Sequence, residues 1–202
     1  MDNVANQKIK SKYDNIASVY DVADWFISDK WRSKVTHLAY GRVLEVGIGT
    51  GLNLSFYSDC CREIFGIDIS PRMLRHAGER ASLCQVPVKL EVMDVQDLPL
   101  DSDSFDCVLA AFVFCTVPDP FIGLRECHRV LKPGGKLILL EHMRSENKLL
   151  HQLMDWLNPV TVTIMGDHIN RNTVDIVAAI GFRMQVVENL LGDVVRLIVA
   201  ER

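Results

Sequence analysis

The chain has no apolar stretch long enough to cross a bilayer. Its longest such run, Cys107 to Val117, holds a threonine and falls well short of the roughly 20 residues a membrane helix needs. Nor does it carry a surplus of positive charge. Its 22 Lys and Arg face 26 Asp and Glu, a formal net charge of -4. A nucleic-acid binder usually leaves a basic footprint, so DNA and RNA are set aside as partners. The six cysteines include no C-x-x-C pair. Cys60 and Cys61 are adjacent, and Cys84, Cys107, Cys115 and Cys127 are scattered. That spacing reads as buried, reduced thiols of a cytoplasmic protein and offers no metal-ligand set. The first ten residues, MDNVANQKIK, are polar and do not read as a signal peptide. There are no repeats or low-complexity tracts. At 202 residues the expectation is one domain with a sizeable core.

What is present is concentrated in RVLEVGIGTGLNLSFY, residues 42 to 57. A short apolar strand, 43–46, carries Glu45 and opens into Gly47, Gly49 and Gly51. Glycine lets a backbone turn sharply and approach a ligand closely. A second apolar strand, 63–67, ends at Asp68, 21 positions after Gly47. An acid at that point of an open α/β sheet is placed to accept ribose hydroxyls. A dinucleotide fingerprint reads G-x-G-x-x-G, and its sixth position here is Leu52. The chain reads E-x-G-x-G-x-G instead. That tighter loop suits a nucleoside ligand without a pyrophosphate, and S-adenosylmethionine fits.

Alternating elements follow. Strands are expected at 43–46, 63–67, 88–92, 105–111 and 136–141, and helices at 52–58, 71–84, 119–131, 147–157 and 172–180. Phe182–Glu188 and Val194–Ala200 read as a closing hairpin. Strand–helix alternation implies a parallel sheet with helices on both faces. Ser70 before Pro71 is a helix start, and Pro133-Gly134-Gly135 is a turn. Residues 1–40 read as N-terminal lid helices. In them Val4, Ile9, Tyr13, Ile16 and Tyr20 recur at helical spacing beside Lys8, Lys10 and Lys12, a pattern compatible with peripheral contact at a membrane surface. Residues 143–170 are strongly apolar and irregular, and read as a substrate-cover insert.

These motifs resemble the class I S-adenosylmethionine-dependent methyltransferases over roughly residues 13 to 142. VLEVGIGTG is similar to the family's first motif, GIDIS with Pro71, Met73 and Leu74 to its second, and MDVQDLPLDSDSFD to its third. RVLKPGG before KLILLE resembles a later signature. YDNIASVYD resembles the opening segment of the branch holding quinone C-methyltransferases and small bacterial phospholipid N-methyltransferases. FVFCTVPDP and LLEHM resemble the methyltransferase-like thiol methyltransferases. The resemblance implies an α/β, Rossmann-like fold with a seven-stranded, mostly parallel sheet and an antiparallel last strand.

It also implies roles. Gly47, Gly49 and Gly51 would approach the methionine end of the cofactor, and Glu45 beneath that loop would hold it or the methionine ammonium through water. Asp68 would take the ribose, Ile69 and Met73 would flank adenine, and Asp94 and Val95 would hold its edge. Ala110 and Ala111 would leave room beside the sulfonium, and Tyr20 would close over the cofactor. His142, past Glu141 on the active face, is the candidate base or acceptor-orienting group. Cys115, His168 and Arg171 are candidate acceptor contacts, Arg171 through a phosphate. The acceptor expected is a phospholipid headgroup amine, with an alkyl thiol or a quinone ring carbon as alternatives. A cofactor-sensing module without catalysis would show damage at the glycines or Asp68, and there is none. An NAD-dependent oxidoreductase is opposed by Leu52 and by the lack of a Tyr-x-x-x-Lys pair.

Overall fold

The computed structural model describes residues 28–164, 168 and 170–202. Its element order is α1 (Asp29–Thr36), β1 (Gly41–Val46), a 3₁₀ turn (Leu52–Phe56), β2 (Cys61–Asp68), α2 (Pro71–Ala81), β3 (Val88–Val92), β4 (Phe105–Ala111), α3 (Pro120–Val130), β5 (Leu131–His142), α4 (Lys148–Ile164), α5 (Thr173–Ile180), β6 (Arg183–Leu191) and β7 (Val195–Glu201). The seven strands form one sheet in the order β3-β2-β1-β4-β5-β7-β6. β1 to β5 pair in parallel, and β7 runs antiparallel to both β5 and β6.

The apolar runs that mark the strands are continuous because both sheet faces are covered. On one face Leu44, Val46, Phe65, Val108, Leu137 and Ile198 pack with Leu124 and Cys127 of α3 and Val177 of α5. On the other, Val43, Ile64, Leu109, Ile138 and Leu197 pack with Val35 of α1 and Leu54 of the 3₁₀ turn. Phe65 and Phe105 meet at 6.0 Å between ring centroids. Both are completely or almost completely buried, which stabilises each by roughly 1.5–3 kcal/mol.

Helix starts follow local chemistry. The Ser70 hydroxyl accepts the Met73 N–H at 3.1 Å with Pro71 in the first turn. Asp119 accepts the N–H groups of Phe121 and Ile122 ahead of Pro120. Two expected elements differ. Residues 52–58 form only the short 3₁₀ turn, because Gly51 enters it in a left-handed conformation (φ 83°) and Tyr57 already leaves it extended. α4 continues past its expected end at 157, with Pro159 inside it and the Thr161 hydroxyl donating to the Asn158 carbonyl. The Pro133-Gly134-Gly135 turn sits inside the β5 span as an irregularity, where β4 residues Phe105 and Cys107 pair with Leu131 and Lys136. No helix among the described residues is long and apolar enough to cross a membrane.

Candidate active site

The chain order reverses between β1 and β4, and ligands in such sheets bind at the strand ends beside that point. An open cleft lies there, about 700 Å³ with the solvent at its mouth included. Its floor is the turn after β1. Gly47 and Gly49 adopt φ values of 61° and 58°, which L side chains rarely adopt. A Cβ built on Gly49 meets nothing nearer than the Gly47 carbonyl oxygen at 4.0 Å. Because Gly49 lines the cleft, that methyl would project into it. The glycine therefore leaves a cradle that a ligand can fill.

Asp68 stands at the end of β2 on the cleft wall. Its Oδ2 accepts the Gly49 N–H at 3.0 Å and its Oδ1 accepts the Ser70 N–H at 2.8 Å. The acid so ties the glycine turn to α2. Each carboxylate oxygen can accept more than one hydrogen bond, so ribose hydroxyls remain acceptable donors. Ile69, Met73, Met93 and Val95 supply apolar walls beside it. Asp94 also lines the cleft. Its Oδ1 takes the Gln96 N–H at 2.9 Å, and Gln96 Nε2 reaches both its oxygens at 3.2 Å. The Gln96 side chain in turn accepts the Asp119 N–H, which fixes Asp94 to the start of α3.

The opposite wall is the end of β4, Ala111, and the loop after it: Phe112, Val113, Thr116, Val117 and Pro118. Phe112 has φ 55°, and its N–H donates to the Leu140 carbonyl at 2.7 Å. Its ring lies 4.5 Å from that of His142.

Several expected residues stand elsewhere. Glu45 does not line the cleft. It is 1% exposed, on the side of the sheet facing the 3₁₀ turn, where its Oε1 accepts Asn53 Nδ2 at 2.7 Å and its Oε2 accepts the Tyr57 hydroxyl at 2.9 Å. Arg32 Nη1 donates to Asn53 Oδ1 at 3.0 Å, so the network reaches back to α1. Burial pushes the Glu45 carboxyl up to about 7, against the lowering influence of Asn53, Tyr57 and the Arg32 charge. Gly51 packs beneath the turn, where a Cβ would come within 3.0 Å of Ala77 Cα. Of the two expected alanines, Ala110 is buried inside β4 and Ala111 lines the cleft.

His142 does not line the cleft and stands behind Phe112. Cys115 is buried and outside the lining, because its loop turns the side chain inward, while its carbonyl accepts the His168 N–H at 2.9 Å. Arg171 Nη1 donates to the carbonyls of Phe114 and Val117 at 2.5 and 2.6 Å. That guanidinium nitrogen thus holds the protein's own loop. Tyr20, the three N-terminal lysines and the expected lid lie outside the described residues, apart from α1. Phe112, Val113 and Thr116 lie in the 110–116 loop expected at the strand ends and within FVFCTVPDP, although none of the three is marked individually by its residue type.

Residues 44–139 match the family described as methyltransferase domain. A ubiquinone/menaquinone biosynthesis C-methyltransferase of Geotalea daltonii is 34% identical over 148 residues, covering 67% of this chain and 63% of that protein. A phosphatidylethanolamine N-methyltransferase of Cereibacter sphaeroides is 36% identical over 130 residues, covering 62% and 64%. The chain thus spans about 63% of the length of the curated relatives it matches. Among solved structures, a methyltransferase of Thermotoga maritima, described as a possible histamine N-methyltransferase, superposes with a TM-score of 0.72 at 21% identity over 95% of this chain and 98% of that one. A cyclase, SpnF, superposes with the same score at 21% identity over 86% and 80%, so the fold by itself does not specify the reaction. Strand order, glycine turn, Asp68 and these matches define a nucleoside-binding α/β protein of the methyltransferase type. The chain belongs to the class I S-adenosylmethionine-dependent methyltransferases. The cleft residues fit that cofactor: a glycine turn, the Asp68 and Asp94 carboxylates and apolar walls beside them.

Proposed function

We propose that this protein is an enzyme that transfers a methyl group to an amphipathic acceptor, with the amine of a phospholipid headgroup as the preferred one. S-adenosylmethionine, when bound, supplies a methyl already activated by its sulfonium charge. The chain's part is then to align and to exclude water. Asp68 holds the ribose end, Asp94 and Val95 face the adenine end, and the glycine turn receives the methionine end. Phe112, Val113 and Val117 present an apolar wall to the acceptor.

The observation that carries the lipid reading is the exposed stripe on α4. Leu149, Leu153 and Trp156 follow one another at helical spacing and are 80%, 48% and 76% exposed. α4 starts at Lys148, a short link beyond the carboxyl end of β5 at His142. Asp155 on the same helix is held by Arg144 and Asn170, so the stripe is not bordered by an unpaired acid there. An apolar helix face with a tryptophan suits the interfacial layer of a bilayer. The phosphatidylethanolamine methyltransferase among the relatives supports the headgroup. The quinone methyltransferases support a second reading, a quinone ring carbon, and both acceptors reside in lipid.

The test is methyl transfer from labelled S-adenosylmethionine to phosphatidylethanolamine vesicles, with a demethylated menaquinone and an alkyl thiol in parallel. Label in the phospholipid supports the preferred reading, and label only in the quinone or thiol replaces it. Asp68→Ala should abolish the label and weaken S-adenosylhomocysteine binding by about 1.5–3 kcal/mol, the cost of losing a charged hydrogen-bond acceptor.

A further inference from the structure

Two polar side chains far apart in sequence grip the same loop. Glu141, completely buried at the end of β5, accepts the N–H groups of Val113 and Phe114 on Oε1 at 3.0 and 2.9 Å. Arg171, ahead of α5, donates to the carbonyls of Phe114 and Val117. One side chain thus accepts from two of the loop's N–H groups and the other donates to two of its carbonyls. Neither lines the cleft. Hydrogen bonds from an ionised guanidinium are roughly twice as strong as neutral ones, so the Arg171 half of the grip is firm.

The loop so held is strained and close to the glycine turn. Phe112 sits in the left-handed region, which a bulky side chain occupies only where its surroundings over-determine it. The next side chain, Val113, lies directly against Gly47. Phe112, Val113, Thr116 and Val117 all face the cleft.

We propose that Glu141 and Arg171 are positioning residues, a paired clamp that holds the 112–117 loop in the shape that brings Phe112 and Val113 to the Gly47 turn. The clamp sets where an acceptor rests relative to the transferring methyl. Its acceptor half rests on the methyl-transfer reading above, and its structural half does not. The adenosine end, built on Asp68 and Asp94, lies on other elements, so the clamp acts on the acceptor and leaves cofactor affinity nearly unchanged.

The test compares wild type with Arg171→Ala and Arg171→Lys by amide hydrogen exchange, S-adenosylhomocysteine calorimetry and turnover on phosphatidylethanolamine vesicles. In Arg171→Ala, exchange at residues 113–117 should rise about ten- to a hundredfold, as expected when hydrogen bonds to a charged group are lost. The amides of β1 and β2 should keep their protection. Arg171→Lys, which retains the charge but not the fork, should restore part of it. Cofactor affinity should change by less than about threefold while kcat/KM for the vesicles falls at least about tenfold. Unchanged exchange in the loop overturns the clamp. So does exchange that rises evenly across the sheet, which would make Arg171 a general stability residue. Wild-type protein inactive on the vesicles would count against the proposed acceptor, and the exchange data would still decide the clamp.

Discussion

Val113 lies across Gly47: a Cβ placed on that glycine would stand 2.5 Å from Val113 Cγ2. The two halves of the cleft touch at this point. Gly47→Ala meets two penalties, this overlap and a φ of 61°, the latter alone costing about 1–2 kcal/mol. The expected result is at least a roughly tenfold loss of S-adenosylhomocysteine affinity, since about 1.4 kcal/mol is one decade. Adding Val113→Ala should recover part of it by removing the overlap while the backbone strain stays. Calorimetry on the single and double variants checks this, and equal losses in both would assign the whole effect to the backbone.

Glu45 should make stability fall as pH rises. Its folded pKa of about 7 lies above the ordinary value of 4.5, chiefly because it is buried. Between those values the folded protein holds a proton that the unfolded chain has lost, so folding loses ground with each step of pH. The contribution is fully present below about 4.5 and gone above about 7. A shift of that size amounts to roughly 3 kcal/mol. Glu45→Gln keeps an acceptor for Asn53 and removes the charge. Denaturant unfolding at pH 5 and pH 8 should show a smaller difference between the two pH values in the variant than in wild type.

His142 stands one aromatic layer from the cleft, its ring 4.5 Å from that of Phe112. Its expected task is to support Phe112. His142→Phe, which keeps a ring in place, should hold turnover within a few-fold of wild type, and His142→Ala should lower it about tenfold. A loss of about 10²–10⁴ in both variants is the mark of a general base and would return the residue to the chemistry. Turnover against pH for the three proteins makes the distinction.

The α4 stripe predicts vesicle binding that survives salt. Apolar contact is not screened, whereas attraction of lysines to anionic lipid is. A Leu149→Glu/Trp156→Glu variant should float with liposomes at least about tenfold less than wild type, given roughly 1.5–3 kcal/mol per large apolar side chain buried. If flotation is lost in salt and indifferent to these substitutions, the contact belongs to a basic surface and not to α4.

The strands β1 to β4 and their parallel pairing were readable because apolar runs bounded by glycine, proline and acids leave little choice of element. Asp68 and the glycine turn were readable because short-range spacing carries their geometry. Arg171 was not. Its partners are the carbonyls of residues 54 and 57 positions earlier, and backbone carbonyls have no sequence identity to recognise. Glu45 misled for a related reason. Its place beside the glycines suggested the ligand, but a β-strand alternates its side chains between faces. Leu44 and Val46 therefore look toward α3, and Glu45 looks to the 3₁₀ turn. Cys115 had an apolar context that did not separate core from cleft.

The pairing of β1 with β4 has a consequence for how the molecule forms. Val46 and Ala110 are neighbours in the sheet although 64 positions separate them, and the glycine turn and the Phe112 loop spring from just beyond those two residues. Closing so long a segment is slow relative to local structure. Until it happens the floor and the far wall of the cleft are strangers. A nucleoside ligand can therefore grip only chains in which this seam has already zipped, and it stabilises those by mass action. During refolding, the appearance of S-adenosylhomocysteine binding would time that central closure, and not the docking of helices at the sheet's edges.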